Sequence, residues 1–276
     1  MFSTTKVKDL HINYRFYGAD NDPLCIIIHG ITSCSSTMIP IAEHLSSQGL
    51  RVLIFDLIGH GASTATSTPI TTSYFLSFFS SFLTSLNLDT TPFHLIGHSM
   101  GGCLAVCVAT SSTHNILSLF LMAPFIKPDN EPFSAKLIRL PLINKALIKL
   151  IGERKLIQHL AETNSDPEIV QILRKSLSEL FSSRPEYLSV TFTNYFRNIL
   201  SLDYSPLYSQ CEDLNIPVGY LWGDNDLVIP ASSKDLALEC LGGGAEVFIL
   251  SGNGHELQIE CSEVVGSKVI EFIRGI

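Results

Sequence analysis

Short, continuously apolar runs alternate along this chain with longer stretches of helical period, and that alternation constrains it more than any other feature. Leu24–His29 (LCIIIH), Val52–Asp56 (VLIFD), Phe93–Gly97 (FHLIG), Leu117–Ala123, Val218–Trp222 and Val247–Leu250 each read as a buried strand. Continuous rather than alternating apolarity predicts strands covered on both faces, which is the condition of a parallel sheet. Between them Tyr74, Phe75, Phe78, Phe79, Phe82, Leu83 and Leu86 recur at three- and four-residue spacing, so one greasy helical face packs on that sheet. The N-terminus, MFSTTKVKDLHINYRFYG, alternates like a first strand. The expected fold class is α/β, with a mostly parallel central sheet flanked by helices.

The alternation stops between about Pro124 and Pro206, where helical periodicity continues without a convincing strand. Segments 133–150, 153–163, 166–182 and 185–200 read as helices, and Asp166 before Pro167 offers an N-cap followed by a first-turn proline. The expected division is a core domain from 1–123 and 207–276, with 124–206 inserted as a helical lid above the carboxyl ends of the strands. A length of 276 residues suits one large domain carrying such an insertion.

Composition removes several function classes. Hydrophobic residues at 46% against 16% charged supply enough apolar surface to offset the entropy of folding, which excludes global disorder. A formal charge of -8 suits a phosphate backbone poorly, so no nucleic-acid partner is expected. The longest nearly apolar stretch, Ile116–Ile126, falls far short of the roughly 18 residues of a spanning helix. No secretory h-region opens the chain. The seven cysteines follow no C-x-x-C spacing, and several lie in apolar segments, pointing to reduced thiols and a cytoplasmic location.

The sharpest local signal is Gly97-His98-Ser99-Met100-Gly101, a G-x-S-x-G that follows an apolar run and opens a helical pattern. At a sharp strand-to-helix turn the glycines remove side chains that would collide, and the serine hydroxyl stands exposed with a helix N-terminus behind it. A serine hydroxyl attacks carbonyls only when a base takes its proton, so a histidine and a group to orient it must follow. Gly223-Asp224-Asn225-Asp226 comes after the run ending at Trp222, and Gly252-Asn253-Gly254-His255 after the final run. Ser99, then Asp224 or Asp226, then His255 is the chain order of a nucleophile-elbow hydrolase.

These motifs resemble the α/β-hydrolase superfamily over essentially all residues outside the variable lid. His29-Gly30 resembles the family's oxyanion turn, Asp56-Leu57-Ile58-Gly59-His60-Gly61-Ala62-Ser63 its D-x-x-G-x-G-x-S loop, and the stretch from Trp222 through Asp226 to Pro230 its acid loop. The resemblance implies Ser99, Asp226 and His255 as the catalytic trio, with Asp224 in reserve as a turn residue. It also implies the backbone N–H groups of Ile31 and Met100 as the oxyanion donors, and neither position holds a proline that would remove the donor. His29 and His98 are expected to support turns, and Asp56 and His60 to brace the floor of the site. No zinc-type spacing, phosphate-binding loop or dinucleotide fingerprint is present, so no metal or organic cofactor is expected.

Residues 127–155 hold seven basic side chains, from Lys127 to Lys155, against the three acids Asp129, Glu131 and Glu153. Interleaved with leucines and isoleucines, they fit an ordinary lid helix, with weak peripheral membrane contact as the second reading. The expected function is a serine hydrolase of small-molecule carboxylic esters acting through an acyl-enzyme, on lipophilic substrates such as monoacylglycerols, lysophospholipids or small acyl esters. The alternatives are a thioesterase, a carbon-carbon bond hydrolase, or a non-catalytic small-molecule receptor on the same scaffold. Oligomeric state is left open by the sequence.

Overall fold

The computed structural model of the chain describes residues 1–111, 113–128, 152, 155–158, 163 and 166–276. Its elements run β1 (Ser3–Val7), β2 (Leu10–Tyr17), β3 (Leu24–Ile28), α1 (Ile39–Ser47), β4 (Arg51–Phe55), α2 (Thr72–Ser85), β5 (Phe93–His98), α3 (Met100–Thr110) and β6 (Ile116–Met122). They continue with α4 (Pro167–Ser183), α5 (Thr193–Asn198), α6 (Ser205–Gln210), β7 (Val218–Gly223), α7 (Ala231–Cys240), β8 (Ala245–Leu250), α8 (Leu257–Glu260) and α9 (Ser262–Gly275). Among the described residues the strands form one sheet in the order β1-β2-β4-β3-β5-β6-β7-β8.

The six apolar runs are β3 to β8, and all of their mutual pairings are parallel. Ile26 sits between Leu53 and Leu95 in this register, and every residue of β3 and β5 is buried. Two expectations need correction. The N-terminal alternation is not one strand but two: Lys8, at φ 54°, turns the chain so that Val7 pairs with Leu10 and β1 runs antiparallel to β2. β8 is an edge strand rather than a fully buried one, with Val247 and Ile249 42% and 48% exposed and Phe248 and Leu250 turned inward.

The aromatic stripe becomes α2, whose Phe75, Phe78, Phe79, Phe82 and Leu83 are buried. Phe82 lies 4.7 Å from the Phe55 ring of β4 and stacks on Phe78 at 6.0 Å. Burying each such side chain is worth about 2–3 kcal/mol, so this face, and not the Ser-rich remainder of the helix, fixes α2 on the sheet. Thr71 caps the start by accepting the Tyr74 N–H.

Within 124–206, the expected helix at 166–182 is α4, and Asp166 caps it by accepting the Glu168 N–H at 2.8 Å. Ile169, Leu173, Leu177 and Phe181, four residues apart, form its buried stripe. Leu177 and Phe181 join Tyr187 and Leu188 in a small second apolar cluster. The expected helix at 185–200 is irregular: a π-helical stretch, Leu188–Phe192, leads into α5. The Leu188 carbonyl accepts both the N–H and the hydroxyl of Thr193 five residues on, the hydroxyl at 2.8 Å, which holds the wider register. The expected helix at 133–150 lies outside the described residues, as does most of 153–163, of which 155–158 are helical. Arg184 and Asn194 tie the segment to the body, donating to Ser63 O (2.9 Å) and Thr68 O (2.8 Å), while Asn194 Oδ1 accepts the Ile70 N–H at 2.7 Å.

Parallel pairing sends the carboxyl ends of β3, β5, β7 and β8 to one edge of the sheet, where crevices of open α/β folds form. His29-Gly30-Ile31, Ser99, Gly223–Asp226 and Gly252–His255 are the loops that leave those ends.

Candidate active site

Ser99 sits between β5 and α3 at φ 54° and ψ -119°, a conformation that L-residues adopt only when the surroundings impose it. The G-x-S-x-G glycines make room for it. A Cβ on Gly97 would lie 2.4 Å from Gly101 O, and one on Gly101 would lie 2.2 Å from Ile28 O. Backbone bonds lock the turn: Ser99 N–H donates to Met122 O at 3.0 Å, and Ser99 O accepts from Gly102 N at 2.9 Å and Phe125 N at 3.0 Å.

The expected trio meets. His255 Nε2 lies 3.0 Å from Ser99 Oγ, and His255 Nδ1 lies 2.8 Å from Asp226 Oδ2. All three side chains are buried. Asp226 Oδ1 accepts the Val228 and Ile229 N–H groups, each at 2.8 Å, so the carboxylate is oriented before the imidazole arrives. Asp224 is exposed and spends its oxygens on the histidine loop, accepting Gly252 N–H at 2.7 Å and Ser251 Oγ–H at 3.0 Å. It joins the two loops without reaching the imidazole.

Burial pulls the His255 pKa down, yet the hydrogen-bonded Asp226 carboxylate, with Glu256 and Glu260 behind it, leaves it raised above the ordinary histidine value. With Asp226 accepting from Nδ1, the neutral ring presents a bare Nε2 to the serine hydroxyl.

Three further residues brace the loops that carry the site. His98 Nε2–H donates to His255 O at 3.0 Å, and its ring faces that of His255 at 5.0 Å. Burial and the facing His255 push its pKa down to about 3, so this ring is neutral. Glu260, four residues beyond Glu256 across α8, accepts both Gly254 N–H (2.6 Å) and Glu256 N–H (3.0 Å). Sequence reading missed Glu260; its signal is a carboxylate one helical turn after a glycine-histidine loop, the spacing at which a side chain reaches back to free amides. Tyr187, also missed, accepts the Thr32 N–H at 3.2 Å and has no local signal, being 155 residues away.

The turn after β3 abuts the nucleophile: a Cβ on Gly30 would lie 3.2 Å from Ser99 Cβ and 3.3 Å from His98 Nδ1. Ile31 N–H follows that glycine and Met100 N–H opens α3, and neither has a backbone acceptor among the described residues. His29 braces the turn, accepting Leu57 N–H on Nε2 at 3.0 Å and donating from Nδ1 to Gly30 O at 2.8 Å. Asp56 divides its oxygens between Ser35 (N–H 2.7 Å, Oγ–H 2.6 Å), Asn13 Nδ2 (2.7 Å) and Ala62 N–H (2.8 Å). His60 packs edge-on to His29 at 5.1 Å. Beside the turn a cavity of about 30 Å³ is lined by Ile31, Thr32, Ser33 and Thr37, by Leu173, Ser176 and Leu177 of α4, and by Glu256 and Ile259.

A family model described as alpha/beta hydrolase fold matches residues 23–261. Monoacylglycerol lipase ABHD6 of Mus musculus is 22% identical over 98% of this chain and 81% of its own length. Among solved structures, a bacterial membrane phospholipase A superposes with a TM-score of 0.79 at 20% identity, covering 100% of this chain and 86% of that one. The enol-lactonase from Burkholderia xenovorans LB400 gives 0.79 at 18% identity, covering 99% and 100%. The sheet order, the elbow at Ser99 and the family match over most of its length agree, and the chain belongs to the alpha/beta hydrolase fold family.

Proposed function

We propose that this chain is a serine hydrolase that cleaves carboxylic esters through an acyl-enzyme. The observation that carries this reading is the unbroken line from Ser99 Oγ to His255 Nε2 (3.0 Å) and from His255 Nδ1 to Asp226 Oδ2 (2.8 Å). Ser99 Oγ attacks the ester carbonyl carbon while His255 Nε2 takes its proton. Asp226 holds the ring in the required tautomer and supports the imidazolium that forms. The carbonyl oxygen, now anionic, accepts hydrogen bonds from Ile31 N–H and Met100 N–H, each worth about 3 kcal/mol of barrier. Collapse breaks the bond to the alcohol oxygen, which leaves with the proton from His255. Water then attacks the acyl-enzyme by the same route, releasing the acid and restoring Ser99.

The substrates of this reading are lipophilic esters such as monoacylglycerols, lysophospholipids or small acyl esters. Support comes from the lid segment, taken as 124–206, whose Leu173 and Leu177 line the same small cavity as Ile31 and Ile259 beside the oxyanion turn. The lipase and phospholipase names of the relatives point the same way. The seven cysteines are free, which suits a cytoplasmic site of action.

A panel of p-nitrophenyl esters of graded chain length, run beside a monoacylglycerol and a lysophospholipid, tests the reading. Turnover that rises with acyl length and vanishes in Ser99→Ala is expected. Turnover confined to thioesters or carbon-carbon substrates, or tight binding without turnover, would overturn it.

A further inference from the structure

The Gly30 carbonyl and the Ile31 N–H belong to one peptide plane, and the Ile31 carbonyl and the Thr32 N–H to the next. The aim of the Ile31 N–H is set by how firmly these two planes are held. The first is pinned from the body of the fold. Leu57 N–H occupies His29 Nε2, so the ring proton sits on Nδ1 and is donated to Gly30 O at 2.8 Å. With the carbonyl held on one side, a trans peptide directs the Ile31 N–H to the other.

The second plane is pinned differently. Thr32 Oγ1–H donates to Ile31 O at 2.6 Å, and Thr32 N–H donates to the Tyr187 hydroxyl at 3.2 Å. Thr32 stands at φ 60°, in the left-handed region that a β-branched residue avoids, so the turn is strained and relaxes unless held from outside. Tyr187 is the outside support, and it is itself immobilised. The residue is 1% exposed, its ring packs edge-on to His60 at 5.4 Å, and it closes the cluster with Leu177, Phe181 and Leu188. Burial raises its phenol pKa, keeping the hydroxyl neutral.

We propose that Tyr187 is a positioning residue that clamps the peptide after Ile31 and thereby aims the Ile31 N–H at the oxyanion. The clamp reaches from the segment between α4 and α5 across to the turn after β3, so a residue 155 positions away in the chain sets the oxyanion geometry. The proposal rests on Ser99 as nucleophile and Ile31 as donor. A tyrosine that merely sealed the apolar cluster would lower stability when truncated without singling out the tetrahedral state.

The test is Tyr187→Phe, which removes only the hydroxyl. It is read by kcat and KM for a p-nitrophenyl ester, and by affinity for a trifluoromethyl ketone, which Ser99 converts to a tetrahedral oxyanion, against the matching methyl ketone, bound as the ground state. Expected is a fall in kcat of about tenfold, short of the ~10²–10³ cost of losing a donor outright, with KM unchanged. The trifluoromethyl ketone should weaken by the same factor and the methyl ketone should not. Unchanged kcat and inhibition, or equal weakening of the two ketones, would each overturn the clamp. If Tyr187→Phe melts below the assay temperature, a ring-fluorinated tyrosine at position 187, a weaker acceptor of the same shape, should weaken the trifluoromethyl ketone selectively, and its failure to do so overturns the proposal equally. Wild-type activity surviving Ser99→Ala would instead remove the reading on which the clamp depends.

Discussion

Glu260 holds the backbone on both sides of His255: one carboxylate oxygen takes the Gly254 N–H at 2.6 Å and the other the Glu256 N–H at 3.0 Å. The same carboxylate helps to lift the His255 pKa. Because catalysis needs His255 neutral as a base, a raised pKa places the acid limb of kcat/KM above the ordinary histidine value near 6.5. Below that limb His255 is protonated and activity is lost; above it activity is full. Glu260→Gln removes the charge, so the limb should move to lower pH in a pH–rate profile while kcat on the plateau falls as the loop loosens. A limb that stays in place would show that the charge does not reach His255.

Asp226 and Asp224 differ by two positions and by everything they touch. Asp226→Asn should lower kcat by roughly three to four orders of magnitude, as loss of the orienting carboxylate does in such trios. Asp224→Asn keeps an oxygen for the Gly252 N–H and should leave kcat within a few-fold. Steady-state rates of the two variants decide it, and comparable losses would contradict the assignment.

His98 tethers the histidine loop directly to the nucleophile elbow through its bond to His255 O. His98→Phe keeps a ring but loses the donor, and kcat should fall between about tenfold and a hundredfold as the imidazole drifts. Since the His98 pKa is held down at about 3, the ring carries no charge at assay pH, and the acid limb should not move. A shifted limb would mean that His98 acts electrostatically rather than as a tether.

Asp56 should matter for stability rather than for chemistry. Asp56→Ala strands the two buried donors of Ser35 and removes the acceptor of the part-buried Ala62 N–H and Asn13 amide. The cost is about 3 kcal/mol, read as a melting temperature lower by roughly 6–12 °C. An unchanged melting curve with abolished turnover would move Asp56 into the catalytic machinery.

What the sequence disclosed follows from the range of the forces involved. The parallel strands were visible because both faces of β3 and β5 are buried, which writes continuous apolarity into a few adjacent residues. Ser99 and His255 were visible because glycines must flank a strained elbow and a tight loop. Choosing Asp226 over Asp224 required family resemblance, since both fit a turn and only the geometry separates Val228 and Ile229 as ligands of one from Gly252 as ligand of the other. The β1–β2 hairpin was hidden because a turn at Lys8 and Asp9 does not interrupt the alternation of its neighbours. The exposed edge at β8 was hidden because Val247 and Ile249 look the same covered or bare. Tyr187 was beyond reach, because its role exists only where a distant segment folds back onto Thr32.

The most direct measurement is covalent labelling with a fluorophosphonate, with the modified peptide located by mass spectrometry. Rapid, stoichiometric labelling at Ser99, slowed by orders of magnitude in His255→Gln, is the predicted result. Labelling at another residue, or labelling of Ser99 at an equal rate without His255, would contradict the account.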